Sequence, residues 1–351
     1  MDMPPPQQFS FADTAKTFGF TTIPDLIGRE YPLDLVQGLF PQIGTSVLYG
    51  APGLGKSFVA LDCVLSIAAG LAVFGRKALQ GFAIYLSTEG KTGMRARAEA
   101  WALSRGLDIA ELPVAIIEEP MNIKDPAIAA TLIELIHRLE KATGTRCRFV
   151  CIDTLSQNLF GDENSQDVMA QFAGSITKIS SMLETQVCAI HHTGKDESKG
   201  PRGSSVINGN YDTLLQLSAG EVDREVILRT GKQKNGKKTA LSIILEEVSC
   251  GTDRDGEEVR SLAVSIDSGE MLECDALSAP SRSKISVEQT KTILRVLEEA
   301  GAGGLDGLEW RKRAQAAGVG PERPATARDI IKELDEEHKV KKDAQGRFFF
   351  M

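Results

Sequence analysis

The chain has 351 residues, 42% of them hydrophobic and 25% charged, which fits one large globular domain plus a small one and excludes a disordered polypeptide. Its 40 Lys and Arg against 48 Asp and Glu give a formal net charge of −8. That balance excludes blanket electrostatic binding of nucleic acid but leaves room for a local basic site.

The opening MDMPPPQQ carries no basic segment followed by an apolar run, so it is not read as a signal peptide. Residues 1–40 read as an N-terminal arm, Pro-rich and then broken into short apolar pieces. From residue 41 strand and helix signals alternate, which predicts an α/β fold with a mostly parallel sheet and crossover helices. SVLYG is a strand, FAIYL from Phe82 a second and VAII from Val114 a third. The most apolar window, Phe58 to Phe74, contains Asp62, Ser66 and Gly70, so a buried helix is expected there rather than a membrane span. Asp125-Pro126 opens a helix as N-cap and first helical residue, Ile128, Leu132, Leu135, Ile136 and Leu139 form its apolar stripe, and Gly144 stops it. RFVCID is a strand, a helix follows from about Ser165 to Glu184, and QVCAIHH is the next strand.

After Gly209 the pattern changes. DTLLQLS, REVILRT and TALSIILEEV follow one another with short turns, which predicts an antiparallel extension. Between the last two lies RTGKQKNGKK, residues 229–238, with five positive charges and no negative one. Asn235-Gly236 between two alternating runs is a strong hairpin signal, because a type I′ turn needs positive φ at both positions. Period-two geometry puts Lys232 and Lys234 on one face of that ribbon. A solvated turn and a contact with phosphate both explain such a tip. Residues 276–286 read as a linker after an ATPase-sized domain of 41–275. Residues 287–351 read as a small winged-helix-like domain, with three helices in SVEQTKTILRVLEEAG, GLEWRKRAQAAGV and TARDIIKELDEEH and a two-stranded wing in KVKKDAQGRFFF. Arg311, Lys312, Arg313, Lys341, Lys342 and Arg347 could form a patch there, but acidic residues balance them, so contact with DNA and contact with protein both stay open. Phe348-Phe349-Phe350 reads as strand core.

The six cysteines, Cys63, Cys147, Cys151, Cys188, Cys250 and Cys274, show neither a CxxC pair nor zinc-ligand spacing. Buried free thiols in a reducing compartment are expected, and with no membrane span foreseen the protein is read as cytoplasmic.

The chemistry concentrates in Gly50-Ala51-Pro52-Gly53-Leu54-Gly55-Lys56-Ser57, which matches GxxxxGK[ST] between a strand and a helix. Glycines let backbone N–H groups wrap phosphates, and the helix N-terminus adds partial positive charge. Lys56 is expected to reach the β- and γ-phosphates and Ser57 to hold Mg²⁺, with Phe58 closing the nucleotide-binding set. The spacing is not GxGxxG, which disfavours a dinucleotide site. Asp153 ends the apolar strand RFVCID, where a second Mg²⁺ ligand stands in such sites; a strand-capping acid is the bland alternative. Glu89 ends FAIYLSTE and is either the carboxylate that orients or deprotonates water, or a helix-start acid. His191 and His192 end QVCAIHH at the sheet edge where ligands bind, and His192 is read as a γ-phosphate sensor.

In combination and order, GAPGLGKS, YLSTEG, FVCIDT, IHHTGK and PRGSSV resemble the RecA-like ATPases of the plasmid RepA type, hexameric replicative DNA helicases related to the DnaB helicases. The resemblance covers about residues 41–245. It implies a RecA-like P-loop core, ATP and Mg²⁺ as cofactors, a homo-oligomeric ring, hexameric as in those relatives, with sites between subunits, and single-stranded DNA in its channel. It makes Lys56 and Ser57 the Walker A pair, Glu89 the catalytic glutamate, Asp153 the Walker B acid and His192 the sensor. The loop Gly194 to Ser205 would face DNA through Lys195, Lys199 and Arg202. Lys232-Gln233-Lys234-Asn235-Gly236 matches a KxRxG-like hairpin element whose cations enter the neighbour's site. Lys234 stands where arginine is usual, which replaces a planar fork by a point charge. Lys232 and Lys234 are then expected to stabilise transition-state charge in trans. The expected function is an ATP-dependent replicative DNA helicase, with the C-terminal domain open to DNA or to replication partners. A RecA-like DNA-dependent ATPase that regulates, loads or recombines without unwinding is the alternative. A small-molecule kinase is disfavoured because the element after the sheet is a basic hairpin and not an Arg-rich lid, and a purely DNA-binding module would not need Lys56, Glu89 and Asp153 together.

Overall fold

Ser10 and Thr22 each start a short helix by accepting a hydrogen bond from a backbone N–H three residues on: α1 (Phe11–Thr17) and α2 (Ile23–Ile27), the latter with a reciprocal capping box from Asp25. The computed structural model describes residues 10–193, 204–233, 238–272, 287–317, 319, 331, 334, 340–343 and 347–350. The chain divides into two units, Met1–Ser278 and Ala279–Met351.

In the first unit β1 (Asp34–Val36) pairs antiparallel with β2 (Phe40–Pro41), and Leu35, Val36, Leu39 and Phe40 are buried in the core. The α/β alternation then runs β3 (Gly44–Gly50), α3 (Lys56–Ala69), β4 (Phe82–Ser87), α4 (Met94–Arg105), β5 (Val114–Ile117), α5 (Pro126–Thr143), β6 (Cys147–Asp153), α6 (Leu155–Leu159), α7 (Gln166–Leu183), β7 (Gln186–His192) and α8 (Ser204–Asn210). Five strands close the unit: β8 (Thr213–Ala219), β9 (Glu225–Gln233), β10 (Ala240–Thr252), β11 (Glu258–Val264) and β12 (Glu270–Met271). The sheet order is β11-β10-β9-β8-β3-β7-β6-β4-β5, with β12 on β10. This is the mostly parallel α/β core with an antiparallel extension that the sequence predicts.

One detail differs. β8 is parallel to β3 along one edge and antiparallel to β9 along the other. DTLLQLS is therefore the last parallel strand as well as the first of the extension. The crossover through α8 returns the chain in the parallel sense, and the turn between Ala219 and Glu225 reverses it.

β3 and β4 are buried along their whole length, as strands covered on both faces must be. One core layer packs α3 and α4 on the sheet through Val59, Leu65, Trp101 and Ala102; the other packs α5 and α7 through Leu132, Ile136, Phe172 and Ile176. Asp125, Pro126 and Gly144 bound α5, and Ser165 and Glu184 bound α7, as the sequence predicts. The stripe of α5 is corrected: Ala129, Leu132, Ile133 and Ile136 are buried, whereas Leu135 and Leu139 are 47% and 40% exposed. α5 packs beside α7 as well as on the sheet, which turns its buried face toward Ala129 and Ile133. Cys63, Cys147, Cys151, Cys188 and Cys250 are free thiols, and burial pushes Cys147 up to about 12 and Cys188 to about 11. Cys274 lies outside the described residues.

The second unit holds α9 (Val287–Glu299), β13 (Leu305–Asp306), α10 (Gly307–Ala316), β14 (Val340–Lys342) and β15 (Arg347–Phe350). Ile293, Leu297, Trp310, Ala314 and Phe348 form its core, and the Trp310 indole donates to the Ile293 carbonyl at 2.8 Å. The expected two-stranded wing gains a third strand, because Leu305 pairs with Phe348 to give the order β13-β15-β14. The linker and most of the third expected helix lie outside the described residues. Among the described residues no helix is long and apolar enough to cross a membrane.

Candidate nucleotide site

β3 ends at Gly50 and α3 starts at Lys56, so the glycine-rich turn sits at the C-terminal edge of the sheet. Two glycines are forced. A Cβ on Gly50 would lie 2.4 Å from the Leu217 carbonyl oxygen of β8, and Gly55 has φ +82 with a Cβ position 2.5 Å from Leu245 Cδ1. The first N–H groups of α3 have no acceptor inside the helix, and with the helix dipole they form a cradle for an anion. Lys56 is buried and folds back over the loop, its Nζ donating to the carbonyls of Gly50 at 3.1 Å and Ala51 at 2.8 Å. Burial pushes its pKa down, while Asp153 and Glu89 oppose the shift. Lys56, Asp153 and Glu89 are thus brought together.

Asp153 ends β6 and is fully buried, opposite Ser87 at the end of β4. Burial raises its pKa, and the hydrogen bond from Tyr85, with a smaller contribution from the nearby Ser57 hydroxyl, pulls it back. Tyr85 donates its hydroxyl to Asp153 Oδ2 in a short hydrogen bond. Asp153 Oδ1 is buried with no hydrogen-bond partner among the described residues. A buried carboxylate oxygen left open beside a serine hydroxyl fits Mg²⁺, which takes oxygen ligands, keeps several waters and needs only one or two protein groups besides phosphate. Ser57 and Asp153 would hold it.

Glu89 is half-buried just beyond β4 and accepts a hydrogen bond from Thr154 Oγ1 at 2.9 Å. His192 pairs in register with Gly50 and His191 with Tyr49, and the Thr193 N–H donates to the Gly50 carbonyl at 3.3 Å. This puts His192 at the entrance of the phosphate loop. Phe58, at the start of α3, lies under the Arg97 guanidinium, 5.0 Å from its ring centroid. Arg97 also closes on Gly90, where an added Cβ would stand 2.8 Å from its Nη2.

Of the two cations expected on the basic hairpin, Lys232 is among the described residues. Lys232 Nζ donates to the carbonyls of Asn208, in a short hydrogen bond, and of Tyr211 at 2.7 Å, both in its own chain at the end of α8. Cations suit such carbonyls, which carry the negative end of a helix. Lys234, Lys195, Lys199 and Arg202 lie outside the described residues. Tyr85, Thr154 and Arg97 escape a reading of the sequence alone. Thr154 follows Asp153 inside FVCIDT and is in plain view there; Tyr85 and Arg97 have no spacing signal.

A family model described as an AAA domain matches residues 14–198, more than half of the chain. The chain belongs to the AAA domain family. The AAA domain match begins in α1 and ends beyond β7, so it contains Gly50 to Phe58, Glu89, Asp153 and His192, and the protein is a P-loop ATPase. No curated protein matches the sequence. Among solved structures, one described as an ATPase domain aligns with a TM-score of 0.48 at 13% identity, over 72% of this chain and 99% of that one.

Proposed function

We propose that the protein is an ATP-dependent DNA helicase of the RepA type, which couples hydrolysis at subunit interfaces of a ring to movement on single-stranded DNA during replication. The observation that carries the reading is the convergence of Lys56, Ser57, Glu89 and Asp153 on one edge of the sheet, with His192 beside Gly50. In this scheme the loop from Gly50 to Phe58 binds ATP, and Lys56 leaves its carbonyl partners for phosphate oxygens, with which an ammonium makes stronger, charge-assisted bonds. Mg²⁺ held by Ser57 and Asp153 neutralises phosphate charge when bound. Glu89 orients the attacking water and takes its proton. His192 reads the γ-phosphate and passes its loss to the loop that follows, where Lys195, Lys199 and Arg202 contact DNA. Lys234 reaches the neighbouring protomer, and Lys232 ties β9 to the end of α8.

Residues 41–275 form the ATPase domain in this reading, 276–286 a linker and 287–351 a winged-helix-like domain that engages DNA or a replication partner, all in the cytoplasm. The test is ATP hydrolysis with and without single-stranded DNA, strand displacement on a forked duplex, and mass with ATP present, using Lys56→Ala as the inactive control. DNA-stimulated hydrolysis with displacement by an assembly supports the helicase. Stimulation without displacement turns the assignment to a loading or regulatory ATPase. A monomer that hydrolyses ATP at full rate at every concentration refutes the shared-site scheme.

A further inference from the structure

Glu89 lies on a connection after β4, outside any helix or strand. Its side chain is held from the end of the neighbouring strand, by Thr154 of the β6–α6 turn. Thr154 is buried, and its Oγ1 donates to Glu89 Oε1 at 2.9 Å. The same oxygen lies 3.0 Å from Ser156 Oγ. A hydroxyl has one hydrogen. With the Thr154 hydrogen committed to Glu89, Ser156 must donate, and the chain runs Ser156 to Thr154 to Glu89 in one direction.

Thr88 obeys the same count. It donates to the Asp153 carbonyl at 2.7 Å and accepts from Asn158 Nδ2 at 3.2 Å. Asn158 is fully buried and fully used: Nδ2 also donates to the Thr154 carbonyl at 2.9 Å, and Oδ1 accepts from the Met121 N–H at 2.9 Å. Its own carbonyl accepts from the Ile123 N–H at 3.0 Å. Asn158 therefore fixes the backbone of Thr154 against β4 and the β5–α5 connection, and with it the position from which the Thr154 hydroxyl reaches Glu89.

We propose that Thr154 is a positioning residue for Glu89, holding one carboxylate oxygen so that the other faces the water that attacks the γ-phosphate. The inference rests on the reading of Glu89 as the base. A carboxylate that works through one oxygen gains from having the second fixed, because free rotation about the last side-chain bond otherwise spreads it over unproductive orientations.

Thr154→Val keeps the shape and removes the donor; Thr154→Ser restores it. Steady-state ATP hydrolysis by the full chain with Mg²⁺ and single-stranded DNA should show kcat down about 10- to 100-fold for Thr154→Val, the range for losing one hydrogen bond to a charged group. KM for ATP and nucleotide affinity should stay within about twofold, since the contact is not made to nucleotide. Thr154→Ser should regain most of the rate. Unchanged kcat in Thr154→Val overturns the proposal, as does a Thr154→Ser variant that folds, binds nucleotide and is as slow as the valine variant. Full activity in Glu89→Ala would instead remove the reading of Glu89 itself, and this inference with it.

Discussion

The helix that follows the phosphate loop and the helix that follows the Glu89 connection are braced to each other by a buried ion pair, and its removal should carry a pH signature. Asp62 of α3 meets Arg105 of α4 with side chains only 2% and 9% exposed, and Asp62 Oδ1 also accepts from the Trp101 indole at 2.9 Å. Arg105 further donates to the Val264 carbonyl at 3.2 Å and lies 4.7 Å over the Trp101 ring. Burial pushes the Asp62 pKa from 3.8 up to about 6, even though Arg105 and Trp101 pull it down. That shift costs the folded state about 3 kcal/mol at neutral pH. The sign follows from proton counts: between these two values the folded state binds more protons than the unfolded one, so stability falls as pH rises from about 4 to about 6 and is level above. Arg105→Ala leaves the carboxylate buried with the indole alone, which raises its folded pKa further and extends the fall past pH 7. The expected loss is about 3–5 kcal/mol at pH 8, the cost of breaking a buried pair from one side. At pH 5 Asp62 is largely protonated in both folded proteins, and only the packing of Arg105 is lost. Urea unfolding followed by far-ultraviolet circular dichroism should show a midpoint about 1–2 M lower at pH 8 and a much smaller difference at pH 5. Adding Asp62→Asn to Arg105→Ala should return most of the pH 8 loss. An equal penalty at both pH values, or no relief from the double substitution, would refute the account.

Gly50→Ala must displace the Leu217 carbonyl oxygen at 2.4 Å and should abolish nucleotide binding in a titration with a fluorescent ATP analogue. Gly53→Ala, with φ +81 but nothing within 4 Å of the added carbon, should cost about 1–2 kcal/mol of melting stability and keep the fold. Lys234→Ala should slow hydrolysis while leaving ATP affinity nearly intact; mixed with Glu89→Ala, some activity should return, and no return at any mixing ratio counts against a cation supplied in trans.

The parts of this protein that are legible in the sequence are those where one residue does a local job. Asp125, Pro126 and Gly144 bound α5 because capping, a fixed φ and a left-handed stop are properties of single positions. The phosphate loop is legible because its residues follow a fixed spacing between a strand and a helix, although Gly50 is also forced by the distant Leu217 carbonyl. Leu135 and Leu139 mislead because both fit the helical period, while which side of the helix is buried depends on α7, a neighbour the period does not encode. β8 could not be read as parallel because its partner β3 is far away in the chain. Tyr85 becomes visible only through the pairing of β4 with β6, which sets Tyr85 against Cys151 and Ser87 against Asp153. Period two puts Lys232 on the face of Lys234 but gives no sign that the end of α8 waits there with two carbonyls.

Sheet order also bears on where the hairpin cations can act. Read across the sheet, Lys232 is on β9, Gly50 on β3, His192 on β7, Asp153 on β6, and Glu89 just past β4, in the order β9-β8-β3-β7-β6-β4. At about 4.8 Å per strand, β9 and β4 lie roughly 24 Å apart. The groups that handle the γ-phosphate all lie on one side of the phosphate-loop strand, and β9 lies on the other. That is several times the reach of a lysine side chain, so a β9 cation serving the chain's own Glu89 would have to cross β8, β3, β7 and β6. A neighbouring protomer that presents its Glu89 side to this β9 side meets no such barrier. In the proposed ring, Lys234 would have its acceptor in that neighbouring protomer.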